Sequence, residues 1–242
     1  MKLLVIPAVD VMQGKCVRLV QGDPARLKVY SDSPLEAARL LENQGAELVH
    51  LIDLDAALGS GQNMDTIEKI LENLHVKVQI GGGIRTLEKA ETLLKLGAFR
   101  VIFGTAAIQN PILVGKAVHR YGSTRVAVAI DEKKDRVAFH GWKDESQIDY
   151  LDFAHSFEDM KIGAIIFTST SVDGTLKGPQ MEKIVKLVEA VKVPVIASGG
   201  IASLNDLIML VGTGVEGVVV GTALYEGRFT FKQALEVVKN VG

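Results

Sequence analysis

Two aspartates occupy matching places in the chain, each directly after an apolar run that is typical of a buried strand. Residues 4–9 precede Asp10, and residues 125–130 precede Asp131. Two carboxyl groups that face each other can divide acid–base chemistry, since one can donate a proton while the other accepts one. Each aspartate could instead cap the loop after its strand. We favour catalysis, because neither run continues into an obvious capping box.

Two glycine-rich stretches recur at a fixed interval. Gly199 follows Gly82 by 117 residues (199 − 82), and Gly221 follows Gly104 by the same interval (221 − 104). Glycine at the turn from a strand into a helix lets backbone N–H groups approach an anion. Tight turns alone would explain one such pair, but two matched sets favour two phosphate sites. The residues concerned are Gly82, Gly83, Gly104 and Thr105 in one half, and Gly199, Gly200, Gly221 and Thr222 in the other.

Strand and helix patterns alternate along the whole chain, and the interval above makes them a two-fold repeat. Predicted strands cover residues 3–9, 47–52, 76–80, 100–103, 125–130, 164–168, 193–197 and 216–220. Predicted helices cover residues 34–43, 64–74, 86–96, 111–119, 148–157, 181–191, 204–211 and 231–238. The strands are almost continuous in Val, Ile and Leu, as in parallel strands buried on both faces.

This pattern predicts an α/β fold, a single (β/α)8 barrel that spans residues 1–242, with half-barrels at about 1–120 and 121–242. A doubly wound open sheet is the alternative. We favour closure, because a second half that continues the first leaves no edge to the sheet.

In such a barrel the carboxyl ends of the strands build the active site. The first and fifth strands lie opposite each other, so Asp10 and Asp131 should face across the mouth. Thr168 ends the sixth strand, where its hydroxyl could orient a substrate hydroxyl or one of the carboxylates, or could equally bond the backbone at a turn. Trp142, in the long loop after the fifth strand, could pack in the core, stack on a flat ring or close as a lid.

The composition excludes several classes of protein. A net charge of −2 over 242 residues gives no support for a surface that binds nucleic acid or an anionic membrane. A lone cysteine, Cys16, cannot form an internal disulfide, which fits a reducing compartment. The apolar run at residues 3–6 is too short for a signal peptide or a membrane span. We expect a cytoplasmic protein.

A metal site is not expected. Asp53 and Asp55 could bind one, but no histidine or further acid stands at ligand spacing, so solvated or loop-bonding aspartates are favoured. His50, within the second predicted strand, should be packed rather than bound to a ligand.

The motifs taken together resemble a known family. They are AVD at 8–10, GKCVRL at 14–19, QG at 21–22, LIDLDAA at 51–57, QIGGGIR at 79–85, FGTAA at 103–107, VAFHGW at 137–142, DGTLKG at 173–178, SGGI at 198–201 and VGTA at 220–223. In combination they resemble the phosphoribosylformimino-5-aminoimidazole carboxamide ribotide isomerases, which are sugar isomerases of histidine biosynthesis. The likeness covers nearly the whole chain.

The resemblance implies a duplicated half-barrel that holds a substrate with a phosphate at each end. It also implies an Amadori rearrangement, from an aldose to a ketose, that needs neither metal nor organic cofactor. By motif, Asp10 matches the general base at C2, Asp131 the general acid that opens the ribose ring, and Thr168 an assisting residue. Arg85 matches a substrate contact, and Trp142 a stack on the imidazole. Arg18 and Gly178, within matching motifs, are also expected to bind substrate.

Two departures from the family pattern stand out. The family often has Asp-x-Arg-x-Gly after the fifth strand, whereas this chain reads DEKKDR at 131–136, and Ala56 replaces a usual glycine. The first departure leaves the contacts of that loop open, but not Asp131 itself.

Three rivals stay open. One is the sister cyclase subunit of imidazole glycerol phosphate synthase, which typically has a cysteine where Val9 stands and works with a glutaminase partner. Another is a dual-substrate isomerase that also acts on phosphoribosylanthranilate. The third is a phosphosugar-binding barrel without activity. We expect a small bisphosphorylated substrate, no nucleic acid, no membrane and no obligate protein partner.

Overall fold

Eight parallel strands close into a barrel in the computed structural model of the chain, which describes residues 3–241. The strands in chain order are β1 (Leu4–Met12), β2 (Lys15–Val20), β3 (Asp23–Ser31), β4 (Leu48–Asp53), β5 (Lys77–Gly81), β6 (Arg100–Phe103), β7 (Val126–Lys133), β8 (Arg136–Phe139), β9 (Asp144–Asp149), β10 (Ala164–Ser169), β11 (Val195–Ser198) and β12 (Gly217–Val220). The barrel runs β1-β4-β5-β6-β7-β10-β11-β12, and the parallel pairing of β12 with β1 closes it. The predicted fold class is confirmed, and the open-sheet alternative is wrong.

Helices surround the barrel. They are α1 (Pro34–Asn43), α2 (Leu54–Leu58), α3 (Met64–Asn73), α4 (Leu87–Lys95), α5 (Thr105–Gln109), α6 (Pro111–Tyr121), α7 (Tyr150–His155), α8 (Met181–Ala190), α9 (Leu204–Leu210), α10 (Thr222–Tyr225) and α11 (Phe231–Val241). Within residues 3–241, none of them has both the length and the apolar character that a membrane crossing requires.

The strand pattern follows from burial on both faces. In β7, the side chains of Val126, Val128 and Ile130 pack into the layer between the barrel and the helices, whereas Ala127 belongs to the cluster inside the barrel. Successive side chains thus point alternately into the barrel and towards the helices. Because both environments are apolar, the whole strand must be apolar. All eight predicted strands are present for this reason.

The helix predicted at residues 148–157 begins later in the structure than the sequence predicts. Residues 148 and 149, predicted as helical, end strand β9 instead. The carboxylate of Asp149 then caps α7 by accepting hydrogen bonds from the backbone N–H groups of Leu151 and Asp152 at 2.8 and 3.4 Å. An aspartate that bonds the second and third helical residues fixes a helix start more strongly than apolar spacing does.

Strands β2, β3, β8 and β9 were not predicted. In each half, the first barrel strand runs on past the barrel rim and turns back as an antiparallel hairpin, β1 with β2 and β7 with β8. Both turns have two residues with positive φ: Gln13 and Gly14 at 51° and 72°, and Lys134 and Asp135 at 51° and 64°. Such turns match the twist of the strands that they join.

The first hairpin is tied to the loop after β4 by buried polar groups. The backbone N–H of Gln13 donates to the Asp55 carboxylate at 2.7 Å, and that of Gly14 donates to the Asn63 side-chain oxygen at 2.9 Å. The Asn63 amide in turn donates to Asp53 at 2.7 Å and to Asp55 at 2.8 Å. These bonds hold the hairpin turn against the barrel rim.

The second hairpin has an ionic anchor. The carboxylate of Glu132, 1% exposed, accepts a hydrogen bond from the Asp135 backbone N–H at 2.8 Å and another from the Ser169 hydroxyl at 3.0 Å. The Lys183 ammonium, on α8, pairs with Glu132 at 2.6 Å and with the Asp135 carboxylate at 2.8 Å. Both hairpins are therefore fixed to the barrel next to the strand ends.

Replacement of Asn63 tests the first anchor. Asn63→Ala removes the hydrogen bonds that the amide makes to two buried carboxylates, so it should lower the free energy of unfolding by about 3 kcal/mol. Asn73→Ala at the other end of α3 is the control and should cost about 0.5 kcal/mol, because Asn73 is partly exposed. Urea unfolding of both variants measures the difference. Equal losses would show that the cluster around Asp53 and Asp55 does not depend on Asn63.

Candidate active site

All but one of the residues predicted to bind or act on substrate line two adjoining depressions at the carboxyl ends of the barrel strands. With the solvent-open space at its mouth included, the larger is a cleft of about 1230 Å³, and the smaller spans about 290 Å³ on the same basis. Asp10, Arg18, Gly82, Gly83, Arg85, Gly104, Thr105, Asp131, Trp142 and Thr168 line the cleft. Gly199, Gly200, Gly221 and Thr222 line the smaller pocket, which shares Arg18 with the cleft. Gly178 does not line either depression; its backbone N–H donates to the carbonyl oxygen of Gly200 at 2.9 Å, directly behind the smaller pocket. The structure thus brings the predicted residues together at one rim of the barrel, with Gly178 behind the site rather than in it.

Asp10 is a partly buried carboxylate that forms an ion pair; its side chain is 13% exposed. It lies where β1 leaves the barrel and begins to pair with β2, opposite Val17. One Arg18 guanidinium nitrogen lies 2.7 Å from the Asp10 carboxylate. Burial raises the pKa of Asp10 to about 6, although the charge of Arg18 lowers it and that of Asp173 raises it further. A carboxyl with such a pKa can take up and release protons near neutral pH.

Asp131 has the same raised pKa in a different setting. Burial brings the pKa of Asp131 to about 6, while hydrogen bonds from the Trp142 and Thr168 side chains lower it. The two strands that carry Asp131 and Thr168 pair in register, with these residues side by side. In the barrel order β7 stands opposite β1. The two carboxyls therefore face each other across the mouth from opposite strands, as the sequence predicts.

A third partly buried carboxylate was not singled out in the sequence. Asp173, in the loop after β10, lines both the cleft and the smaller pocket. Burial raises the pKa of Asp173, and the charge of Arg18 lowers it. The motif that contains Asp173 is one of those that resemble the family. Only the fold shows that its loop reaches Arg18, and that the charge of Asp173 raises the pKa values of Asp10 and Asp131.

The smaller pocket has the form of an anion cradle. A Cβ atom built on Gly200 would lie 2.3 Å from the carbonyl oxygen of Gly178, so the two backbones can approach this closely only without a side chain. The φ of Gly200 is +84°, which glycine adopts at no steric cost. A Cβ on Gly221 would lie 2.4 Å from the guanidinium of Arg18. The hydroxyl of Thr222 is buried here and has no hydrogen-bond partner among the described residues.

The cradle in the first half is built in the same way, but its threonine already has a hydrogen-bond partner within the protein. A Cβ on Gly82, with φ +103°, would lie 2.2 Å from the carbonyl oxygen of Asp53. The Thr105 hydroxyl accepts a hydrogen bond from the backbone N–H of His140 at 3.0 Å. The Arg85 guanidinium donates to the Ala56 carbonyl at 3.4 Å, so it is loosely held at the rim. The two cradles thus differ in how far their threonines are already bonded.

Trp142 closes one side of the cleft. It lies in the turn after β8 with a φ of +67°, and its indole ring packs on Gly22, where a Cβ would come within 2.5 Å. The side chain lines the cleft next to Asp131 rather than filling the core. This placement rules out the core alternative, whereas stacking on an imidazole remains a prediction.

The remaining polar residues have structural partners. Asp53 and Asp55 are buried and bond the loop, which confirms the loop-bonding interpretation and makes the solvated one wrong. Within residues 3–241 no three His, Cys, Asp or Glu side chains are grouped to hold a metal ion. Cys16 is fully buried and lies 3.4 Å from the Tyr225 hydroxyl. His50 is packed as expected, yet it also forms part of the cleft floor.

Comparison with known proteins gives a consistent family. The family model described as "Histidine biosynthesis protein" matches residues 4–230. A protein of Methanosphaera stadtmanae is 43% identical over 237 residues, which are 98% of this chain and 100% of that protein. Proteins of Methanothermobacter thermautotrophicus and Methanosarcina acetivorans are 45% identical over 234 and 240 residues, 97% and 98% of this chain and 98% of each relative. All three are named as an imidazole-4-carboxamide isomerase, with two phosphoribosyl groups in the substrate part of the name.

The raised pKa of Asp131 makes a prediction about stability. Since burial disfavours the charged form, the folded state loses stability as pH rises from about 4 to about 6, between the pKa values of the unfolded and folded states. The variant Asp131→Asn has no charge to bury. At about pH 8 its free energy of unfolding should therefore be up to about 3 kcal/mol higher than that of wild type. The gain should disappear near pH 4. Thermal unfolding at the two pH values measures it.

The matched variant is Asp10→Asn, which leaves the Arg18 guanidinium buried without its partner. Its gain at about pH 8 should be smaller, because an unpaired buried cation is costly. A lower stability of Asp131→Asn at pH 8, or a gain that does not change with pH, would contradict the burial of a charged Asp131.

Proposed function

Because this chain belongs to the histidine biosynthesis protein family, we propose that it is the sugar isomerase of that pathway. Its substrate would be the bisphosphorylated N-(5′-phosphoribosyl)formimino aminoimidazole carboxamide ribotide, which it converts from an aldose to a ketose by an Amadori rearrangement. The resemblance found in the sequence is confirmed by relatives that carry the isomerase name over nearly the full length of the chain. The observation that carries the proposal is the pair of partly buried carboxyls, Asp10 and Asp131, on opposite strands between two glycine cradles.

The two carboxyls suit the two proton transfers of this reaction. Asp131 in its acid form would give its proton to the ring oxygen as the C1–O bond breaks, which leaves an iminium at C1. Asp10 in its ionised form would then take the proton from C2, and the enaminol so formed would become the ketose. A pKa of about 6 leaves part of each carboxyl in either state near neutral pH. Arg18 favours the ionised form of Asp10, as a base requires.

The cradles would hold the two phosphates. The pocket of Gly199, Gly200, Gly221 and Thr222 offers backbone groups, one free hydroxyl and the Arg18 cation, all of which favour an anion. The stretch with Gly82 and Gly83, together with Gly104 and Thr105, offers the second site on the other side of the cleft. The same Arg18 that pairs with Asp10 would thus contact the phosphate.

The rival functions are less well supported. The relatives are named as isomerases, and none of those named above as a cyclase subunit. A binding protein without activity would not need two carboxyls whose pKa values lie near neutrality. Additional action on phosphoribosylanthranilate has no observation in its favour. The proposal also includes a cytoplasmic enzyme with one small-molecule substrate and no obligate partner, supported by the low net charge and the single cysteine.

Turnover by the aspartate variants tests the proposal. Purified wild type should convert the bisphosphorylated aminoaldose, followed by the absorbance change on ring opening. Asp10→Asn and Asp131→Asn should each lower kcat by about 100-fold or more, since each removes one proton-transfer group. Phosphoribosylanthranilate is the second substrate in the same assay. A wild type without turnover, or variants as active as wild type, would exclude the proposal.

The free hydroxyl of Thr222 gives a second test. Thr222→Val removes a buried polar group that has no partner, so the ligand-free protein should be as stable as wild type or slightly more stable. The same change should weaken the stabilisation that added inorganic phosphate gives, because the hydroxyl would bond the anion. Thermal unfolding with and without phosphate measures both effects.

Thr105→Val is the matched control in the other half. It removes the acceptor of the His140 N–H, so it should lower the free energy of unfolding by about 1 kcal/mol even without phosphate. If Thr222→Val were destabilising without phosphate and unchanged with it, the hydroxyl would be structural rather than part of an anion site.

A further inference from the structure

We propose that His50 is a neutral hydrogen-bond donor in the floor of the cleft and presents its Nε2–H to an oxygen of the substrate sugar. The proposal rests on the proposed function for the identity of the sugar, but not for the state of the imidazole. It adds one polar contact to a part of the site that is otherwise apolar.

His50 is placed by the register of the barrel. It lies on β4 between Ala8 of β1 and Gln79 of β5, the residues directly beside it on the neighbouring strands. Asp10 stands two residues further along β1, so His50 lies one inward-facing position below the base. The other residues at the bottom of the cleft are apolar: Ala8, Ile102, Ala129, Ile166 and Val219. A single polar group therefore faces the substrate from below.

A row of hydrogen bonds fixes which nitrogen of His50 carries the proton. Arg100 donates twice to the side-chain oxygen of Gln79, at 3.2 Å from Nε and 2.7 Å from a terminal nitrogen. A guanidinium only donates, so the Gln79 oxygen must face Arg100 and its NH2 group must face the other way. That NH2 lies 2.9 Å from Nδ1 of His50. Nδ1 must then accept, and the single proton of the neutral ring is on Nε2.

The surroundings keep the ring uncharged. Burial lowers the pKa of His50 to about 3, and the cations Arg18 and Arg100 add to this effect. The nearest carboxylate on the neighbouring strand, Asp10, is itself paired with Arg18. Nε2 has no hydrogen-bond partner within residues 3–241, and it is not among their fully buried unpaired atoms. A neutral imidazole donates one directed hydrogen bond without adding positive charge beside the acid and base.

The fixed row also explains why Gln79 and Arg100 are buried under an active site. Gln79 is fully buried and Arg100 is 5% exposed, although neither lines the cleft. Buried polar groups are retained where their bonds are all made, and these two make theirs with each other and with His50. We assign Gln79 the role of a positioning residue that acts through the histidine ring.

Nitrogen NMR of the histidine ring tests the proton state without any turnover. In protein with 15N-labelled histidine, the His50 signals, identified by their loss in His50→Gln, should show a protonated Nε2 and a bare Nδ1 at about pH 7.5 and at about pH 5.5. Saturating ketose product should shift the Nε2 signal. In Gln79→Leu the single tautomer should become a mixture. A protonated Nδ1, a charged ring at pH 5.5 or no response to product would overturn the proposal.

Kinetics test the contact itself. His50→Leu removes the donor and should lower kcat/KM by about 10- to 100-fold, the effect of losing one good hydrogen bond to substrate. His50→Gln keeps an N–H near the same place and should recover most of that loss, while His155→Gln, on an exposed histidine, should match wild type. Equal activity of the Leu and Gln variants would show that the ring only fills space. If His50→Leu fails to fold, Gln79→Leu replaces it, with a smaller loss expected.

The two experiments fail in different ways. A wild type without turnover would remove the proposed function, while the tautomer measured by NMR would still decide whether His50 is a donor. Full turnover together with the wrong tautomer would remove only the inference about His50.

Discussion

Closure of the parallel sheet is the constraint on which the rest of the molecule depends. Eight strands that run the same way around a barrel must all end at one rim, so every residue at a strand end is brought to the same place. Asp10 and Asp131, 121 residues apart (131 − 10), meet across that rim because β1 and β7 are opposite members of the ring. Partial burial at this rim raises the pKa values of both carboxyls, which makes them useful for proton transfer and costly for stability.

The two hairpins, β1 with β2 and β7 with β8, position further side chains over the strand ends. Each first strand of a half continues beyond the barrel, and its turn is held by buried polar groups, around Asn63 in one half and around Glu132 in the other. The first hairpin carries Arg18 back over Asp10, and the second leads to Trp142 beside Asp131. Chemistry at the rim therefore depends on anchors that never touch the cleft.

Much of this could be predicted from the sequence, and the misses have physical reasons. Strands buried on both faces and glycine turns at a constant interval leave strong local patterns, so the barrel and both cradles were found. The turn at Lys134 and Asp135 has two left-handed residues without the glycine or asparagine that usually marks such turns, so β8 was missed. Asp173 and Asn63 matter through contacts with distant residues, Arg18 and Gly14, and no local sequence pattern indicates such contacts.

The corresponding threonines of the two halves, Thr105 and Thr222, differ in their hydrogen bonds, so the two ends of the site are not equivalent. Thr105 already accepts a hydrogen bond from His140, whereas Thr222 has a hydroxyl without a partner and Arg18 near Gly221, so the two anion cradles present different polar groups. A barrel with perfect two-fold symmetry would accept a molecule with a phosphate at each end in either orientation, and half of those encounters would place the wrong carbon at the base. On the proposed function, divergence between the halves would favour one orientation of the substrate while the symmetry of the backbone is kept.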